Sequence, residues 1–320
     1  MDILNEIANK RSINRRKFLA GVGAAGAATA LAGCGSSQPV VTPPTSTAVT
    51  DADILNFALN LEYLEAEFYL RAATGAGLAT ADIGSSPGAV TGGAQLTGLT
   101  SAQQNIVNEI AYDEQAHVRF LRTALGSAAV VRPTIDLTAS FNGLAAAAGI
   151  GSTFNPFASF SNFLVGAFIF EDVGVTAYSG AAPLISTAGI TAGLLTAAAG
   201  ILAVEAYHAA YVRTAITASA LAPGGAATLV TYANQVATLR GTLGGGNETM
   251  LTIPTGTAPF IATVPTPSAI VAATTANAIA FARTTDQVLH IVYGTAGSAG
   301  VKSGGFFPSG LNGKITVTQS

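Results

Sequence analysis

The chain has 320 residues and is 49% hydrophobic but only 10% charged, against about 25% charged in an average domain. That length allows one large domain or two small ones with an ample core, and a formal charge of -3 leaves no basic surface for a nucleic-acid partner. Charge is scarce, so its placement is informative.

Residues 1–34 read as an address and not as part of a fold. Asn14-Arg15-Arg16-Lys17-Phe18-Leu19 resembles a twin-arginine export signal, although it lacks the usual leading Ser and trailing Lys. The apolar run from Phe18 to Gly33 is short and rich in Gly and Ala for a membrane span, and an ordinary membrane anchor with a buried Cys34 is the alternative reading. Leu31-Ala32-Gly33-Cys34 resembles the bacterial lipobox, which implies a lipid on Cys34, a membrane anchor and a place in the cell envelope, on its periplasmic or extracellular face. Cys34 is the one cysteine, so disulfides and cysteine-based metal sites are excluded. Residues 35–50, rich in Ser, Thr and Pro, read as a flexible tether.

The domain starts at Thr50 or Asp51. Apolar residues at helical spacing predict a first helix to about Ala73, with Glu62, Glu65 and Tyr69 on one face. Glycines and Pro87 then break the pattern, and Thr100 or Ser101 starts a second helix that carries Glu114 and His117 and stops at Gly126. A loop with Pro133, Gly149 and Pro156 leads to a third helix near 157–179, in which Glu171 is embedded among apolar residues. A buried carboxylate is costly unless a cation, a proton or hydrogen bonds meet it. A fourth helix, from about 186 to 219, carries Glu205 and His208.

Two of the three histidines close a Glu-x-x-His, Glu114 to His117 and Glu205 to His208, and that spacing puts both side chains on one helix face. Each of these helices follows a helix with a Glu and a Tyr seven apart, Glu62 and Tyr69 in the first half, Glu171 and Tyr178 in the second. One carboxylate from each of two helices plus a Glu-x-x-His from each of the others is the ligand set of a dinuclear site in a four-helix bundle. Four carboxylates and two imidazoles neutralise two divalent ions and suit iron or manganese.

At these residues, over about 51–220, the chain resembles the ferritin-like superfamily, which includes rubrerythrin, bacterioferritin and manganese catalase. The resemblance implies an all-α fold, a ferritin-like four-helix bundle over residues 51–222 with a long crossover, and metal ligands at Glu62, Glu114, His117, Glu171, Glu205 and His208. Gly304-Gly305-Phe306-Phe307-Pro308-Ser309-Gly310-Leu311-Asn312-Gly313 looks like the ferritin-like proteins named for desiccation. Residues 223–320 are expected to add C-terminal helices that pack on the bundle, one over 226–240 and one or two over 270–293, around an irregular segment with Pro254, Pro265 and Pro267.

The residues leave alternatives open. Glu65 competes with Glu62 as ligand, and the seven-residue spacing to Tyr69 favours Glu62. Asp113 competes with Glu114 beside His117, but residue 204 is Val and gives Asp113 no counterpart. Asp172 is expected to bond the outer ring nitrogen of a ligand histidine, Tyr69 and Tyr178 to be core aromatics with one hydrogen bond, Glu67 and Glu109 to be solvated or capping, and His290 to be structural. The functional expectation is a di-metal protein that acts on dioxygen or peroxide as an oxidase, peroxidase or catalase. With no Cys-x-x-Cys to deliver electrons, disproportionation of peroxide is the version that needs no donor. The alternative is a ferritin-like bundle that protects or scaffolds envelope components during drying or other stress, its metal structural or absent; a metal store or scavenger without catalysis lies between the two, and homo-oligomerisation stays open.

Overall fold

Five side-chain caps, three of them reciprocal, and a few glycines set the limits of the described helices. The structure, a computed structural model, describes residues 48–223, 225, 227–252 and 270–320. The export-type stretch, Cys34, the tether up to residue 47 and Pro254, Pro265 and Pro267 lie outside the described residues. Eight α-helices are present among those described.

Helix α1 (Asp51–Thr74) begins at Thr50, whose hydroxyl accepts from the Asp53 amide while the Asp53 carboxylate accepts from the Thr50 amide. This box satisfies backbone donors that a helix start otherwise leaves unbonded. Helix α2 (Ser101–Leu125) begins in the same way at Thr100 and Gln103. The crossover over 126–159 is not a bare loop. It holds β2 (Ile135–Asp136), which pairs in parallel with β1 (Val90–Thr91), and the short helix α3 (Ala139–Ala147), whose first amides are bonded by the Asp136 carboxylate.

Helix α4 (Phe160–Ala181), capped by Ser159, starts three residues later than its apolar pattern suggests. The expected fourth helix is broken. A short α5 (Thr187–Thr191) ends at Gly193, whose φ of 86° is costly for any residue with a Cβ, and α6 (Leu194–Leu221) follows. Helices α1 and α2 pack along one another, as do α4 and α6, and the two pairs close the bundle. By length and composition α4 and α6 could each cross a membrane, yet both put a carboxylate in mid-helix, and those carboxylates meet α1 and α2.

Helix α7 (Thr228–Gly244) lies against α4, α6 and α8 (Thr285–Tyr293). The described part of 270–284 is turns and an isolated bridge between Thr274 and Ala280, so one helix stands where one or two were expected. The C-terminal Gly-Phe-Phe motif is a fastener. The Phe306 amide donates to Val292 O (2.9 Å), its carbonyl accepts from Asp136 N (3.0 Å), and its ring meets Phe141 and Phe170 at 5.2 and 4.9 Å. Asn312 completes it by exchanging two hydrogen bonds with Asn60 of α1, at 2.8 and 3.0 Å. The motif therefore docks the tail two residues from Glu62.

Candidate metal centre

Two turns of helix separate residues seven apart, so α1 aims Glu62 and Tyr69, and α4 aims Glu171 and Tyr178, at one axis. From α2 and α6 the Glu-x-x-His pairs face the same axis. All six candidate ligands are buried, with Glu114 and Glu205 at 0% exposure. Their ligand atoms gather into two clusters, Glu62, Glu114, His117 and Glu205 in one, Glu114, Glu171 and His208 in the other, each within 4.8 Å throughout. Glu114 belongs to both.

Both imidazoles turn Nδ1 inward. His117 Nδ1 lies 3.2 Å from Glu62 Oε2, 3.3 Å from Glu114 Oε2 and 3.5 Å from Glu205 Oε1. His208 Nδ1 lies 3.0 Å from Glu114 Oε1 and 3.7 Å from Glu171 Oε2. Most of these approaches are close without the alignment of a hydrogen bond. Glu62 Oε2, Glu114 Oε1, Glu171 Oε2, both oxygens of Glu205 and His208 Nδ1 have no hydrogen-bond partner although buried. Orphaned buried acceptors are rare and costly, and here they share one space. Divalent ions fit that donor set, as oxygen-rich ligands with two imidazoles suit iron or manganese.

The tyrosines cross between the halves. Tyr69 of α1 donates to Glu171 of α4, and Tyr178 of α4 donates to Glu62 of α1. Each outer carboxylate is thus held through one oxygen, and the other faces the cluster.

Without ions, protons do the neutralising. Burial pushes Glu62 up to about 7 and Glu171 up to about 8, against pull from His117 and His208. Burial also drives Glu205 and Glu65 well above the usual carboxyl range, with neighbouring carboxylates adding to it. Glu114 goes the other way, because burial is outweighed by the hydrogen bond with His117 and by the close approach and charge of both imidazoles, which hold it at about 2. Burial would lower His208, but Glu171 and Glu114 raise it to about 10. His117 is raised in the same way, burial opposing and Glu62 leading the carboxylates that overcome it.

Other expected site residues sit differently. Glu65 is buried next to the centre but joins neither cluster. Asp113 is bonded to His208 Nε2 at 3.2 Å, on the ring of the opposite half and not on its own neighbour His117. Asp172 touches no ligand histidine. Its Oδ2 meets Arg213 and Arg240, each at 3.0 Å, because those arginines are buried beside it and need a counter-charge. Glu67 is not solvated: it is fully buried and paired with Arg71 and Arg132. Glu109 is exposed, and His290 bonds two backbone carbonyls, Thr295 O and Ser320 O, each at 2.9 Å.

Sequence reading missed Gly174. A Cβ there would stand 2.1 Å from Glu205 Oε2, so only glycine leaves that carboxylate its present place. The signal was available, since residue 174 lies three after Glu171 as Glu65 lies three after Glu62.

Comparison with known proteins agrees with the helical fold. The ferritin-like domain family matches residues 50–218. The chain is similar to the ferritin-like catalase Nec2 of Nesocodon mauritianus, 32% identical over 278 residues, or 83% of this chain and 84% of the relative. It is also similar to the desiccation-related protein PCC13-62 of Craterostigma plantagineum, 32% identical over 207 residues, 61% of this chain and 63% of that protein.

Proposed function

This chain belongs to the ferritin-like family, and from that premise we propose that it is a di-metal carboxylate protein that disproportionates peroxide, with two iron or manganese ions bound by Glu62, Glu114, His117, Glu171, Glu205 and His208. One observation carries the reading: buried acceptors of Glu62, Glu114, Glu171 and Glu205, with His208 Nδ1, converge without hydrogen-bond partners. When bound, the ions would supply the two-electron redox capacity that peroxide chemistry needs. The chain's own residues bind and orient. Tyr69 and Tyr178 fix the outer carboxylates, Asp113 fixes the His208 ring, and burial excludes bulk water. Peroxide oxidises and reduces itself in this reaction, so no electron donor is required, and the similarity to a protein named a catalase supports that choice. The reading includes export by the twin-arginine route and a lipid on Cys34 that holds the protein at the envelope membrane, supported by the motif residues alone.

The similarity to a desiccation-related protein favours a second reading, a stress protein of the envelope that binds metal without turnover. One experiment separates them. Protein purified without chelator is analysed for metal and then assayed for peroxide decay beside a Glu205→Ala, His208→Ala double variant. About two ions per chain and decay lost in the variant support the enzyme. Two ions with decay equal in both proteins would leave the stress reading.

A further inference from the structure

The two halves of the centre match in spacing, and two of the positions where they differ lie against the candidate ligands. Asp113, which precedes Glu114, corresponds to Val204 before Glu205, and Glu65 on α1 corresponds to Gly174 on α4. The bridging glutamates differ as a result. Glu114 stands between the two histidines, 3.3 Å from one and 3.0 Å from the other. Glu205 leans into the space that Gly174 leaves, with Oε2 2.1 Å from where a Cβ would stand and Oε1 3.5 Å from His117. One ion position is therefore bounded by three carboxylates and an imidazole, the other by two carboxylates, one of them shared, and an imidazole.

Affinity for a divalent cation rises with the number of charged ligands and with their rigidity. The poorer position has one device the richer one lacks, the Asp113 carboxylate on His208 Nε2. No described acceptor bonds Nε2 of His117, whose matching residue is Val204. A carboxylate on the outer nitrogen fixes the ring and raises the basicity of the inner one.

Resting on the metal reading above, we infer that the two ion positions are unequal and fill in order. The Glu62, Glu114, His117, Glu205 position fills first, and Asp113 is the positioning residue on which the second depends.

The test is a titration of the metal-free full chain with Mn(II), following free ion by its EPR signal and bound ion by elemental analysis. Wild type is expected to bind two ions in two resolved steps. Asp113→Asn is expected to weaken the second step by about 10–100-fold and to leave the first unchanged, while Asp113→Glu retains much of the second. The Asp113 side chain is 42% exposed, so these variants keep the fold, which circular dichroism checks. A single two-ion step in wild type, or an Asp113→Asn effect on the first step, on both or on neither, overturns the inference. Failure of folded wild type to bind any Mn(II) or Fe(II) overturns the metal reading itself, and so is distinct from those results.

Discussion

At the scale of single residues, the centre ties stability to pH. Metal-free Glu62 and Glu171 sit at about 7 and 8 against an ordinary 4.5. The folded state holds those protons more tightly, so stability falls as pH rises from the ordinary value through these raised ones. His208, raised from 6.5 to about 10, contributes stability that is complete below 6.5 and is lost as pH rises through 10. Glu114, lowered to about 2, contributes a constant amount above 4.5. All the varying groups thus act in one direction, and the melting temperature in chelator is expected to fall between about pH 5.5 and 9. Bound metal displaces the same protons and should flatten that fall. A chelated protein that melts higher at the alkaline end would contradict the arrangement. Much of this centre was legible in the sequence, because two Glu-x-x-His and two Glu-Tyr spacings sit on helices whose faces follow from a period of 3.6. Glu67 and Asp172 were not, since the partners that bury them, Arg132, Arg213 and Arg240, are distant in sequence and no local pattern announces them.

At the scale of elements, strong apolar period with a capping residue was enough. Thr50 and Thr100 mark true starts, and Gly126 follows the last residue of α2. Weak elements escaped for physical reasons. Helix α3 has no side-chain cap of its own and depends on Asp136 and on Phe141 packing against Phe68 at 5.7 Å. The break at Gly193 hides inside a run of Ala, Leu and Ile that reads as one helix. The Gly-Phe-Phe motif was recognisable but mute, because its role lies in what it touches. Phe306 is 1% exposed and joins α3 to α4 through two ring contacts. Phe306→Ala should therefore cost about 3–5 kcal/mol in denaturant unfolding. A loss under about 1 kcal/mol would mean that the tail does not help to hold the bundle.

On the scale of the whole molecule, a second buried charge system joins the extension to the bundle. Arg240 bonds Asp172 of α4 at 3.0 Å and Glu248 at 2.7 Å, and Glu248 passes the connection to Arg283 at 2.6 Å. Arg240 also stacks over Phe168, 4.6 Å from its centroid. Removing one member strands the others, so Arg240→Ala should destabilise the fold by about 3–5 kcal/mol. Metal per folded chain should stay unchanged, since Arg240 touches no candidate ligand, and a stoichiometry that falls with it would join the two systems functionally. The crossed tyrosines carry a different consequence, one of timing. Neither helical hairpin owns the hydroxyl that its own outer carboxylate leans on, and neither owns both histidines. A nascent chain that has made only the first hairpin holds half a set of ligands and no brace for them, so it is a poor scavenger of stray ions. On the proposed metal reading, capture would become competent only when the last long helix of the bundle docks, and a bound pair would then certify completed folding.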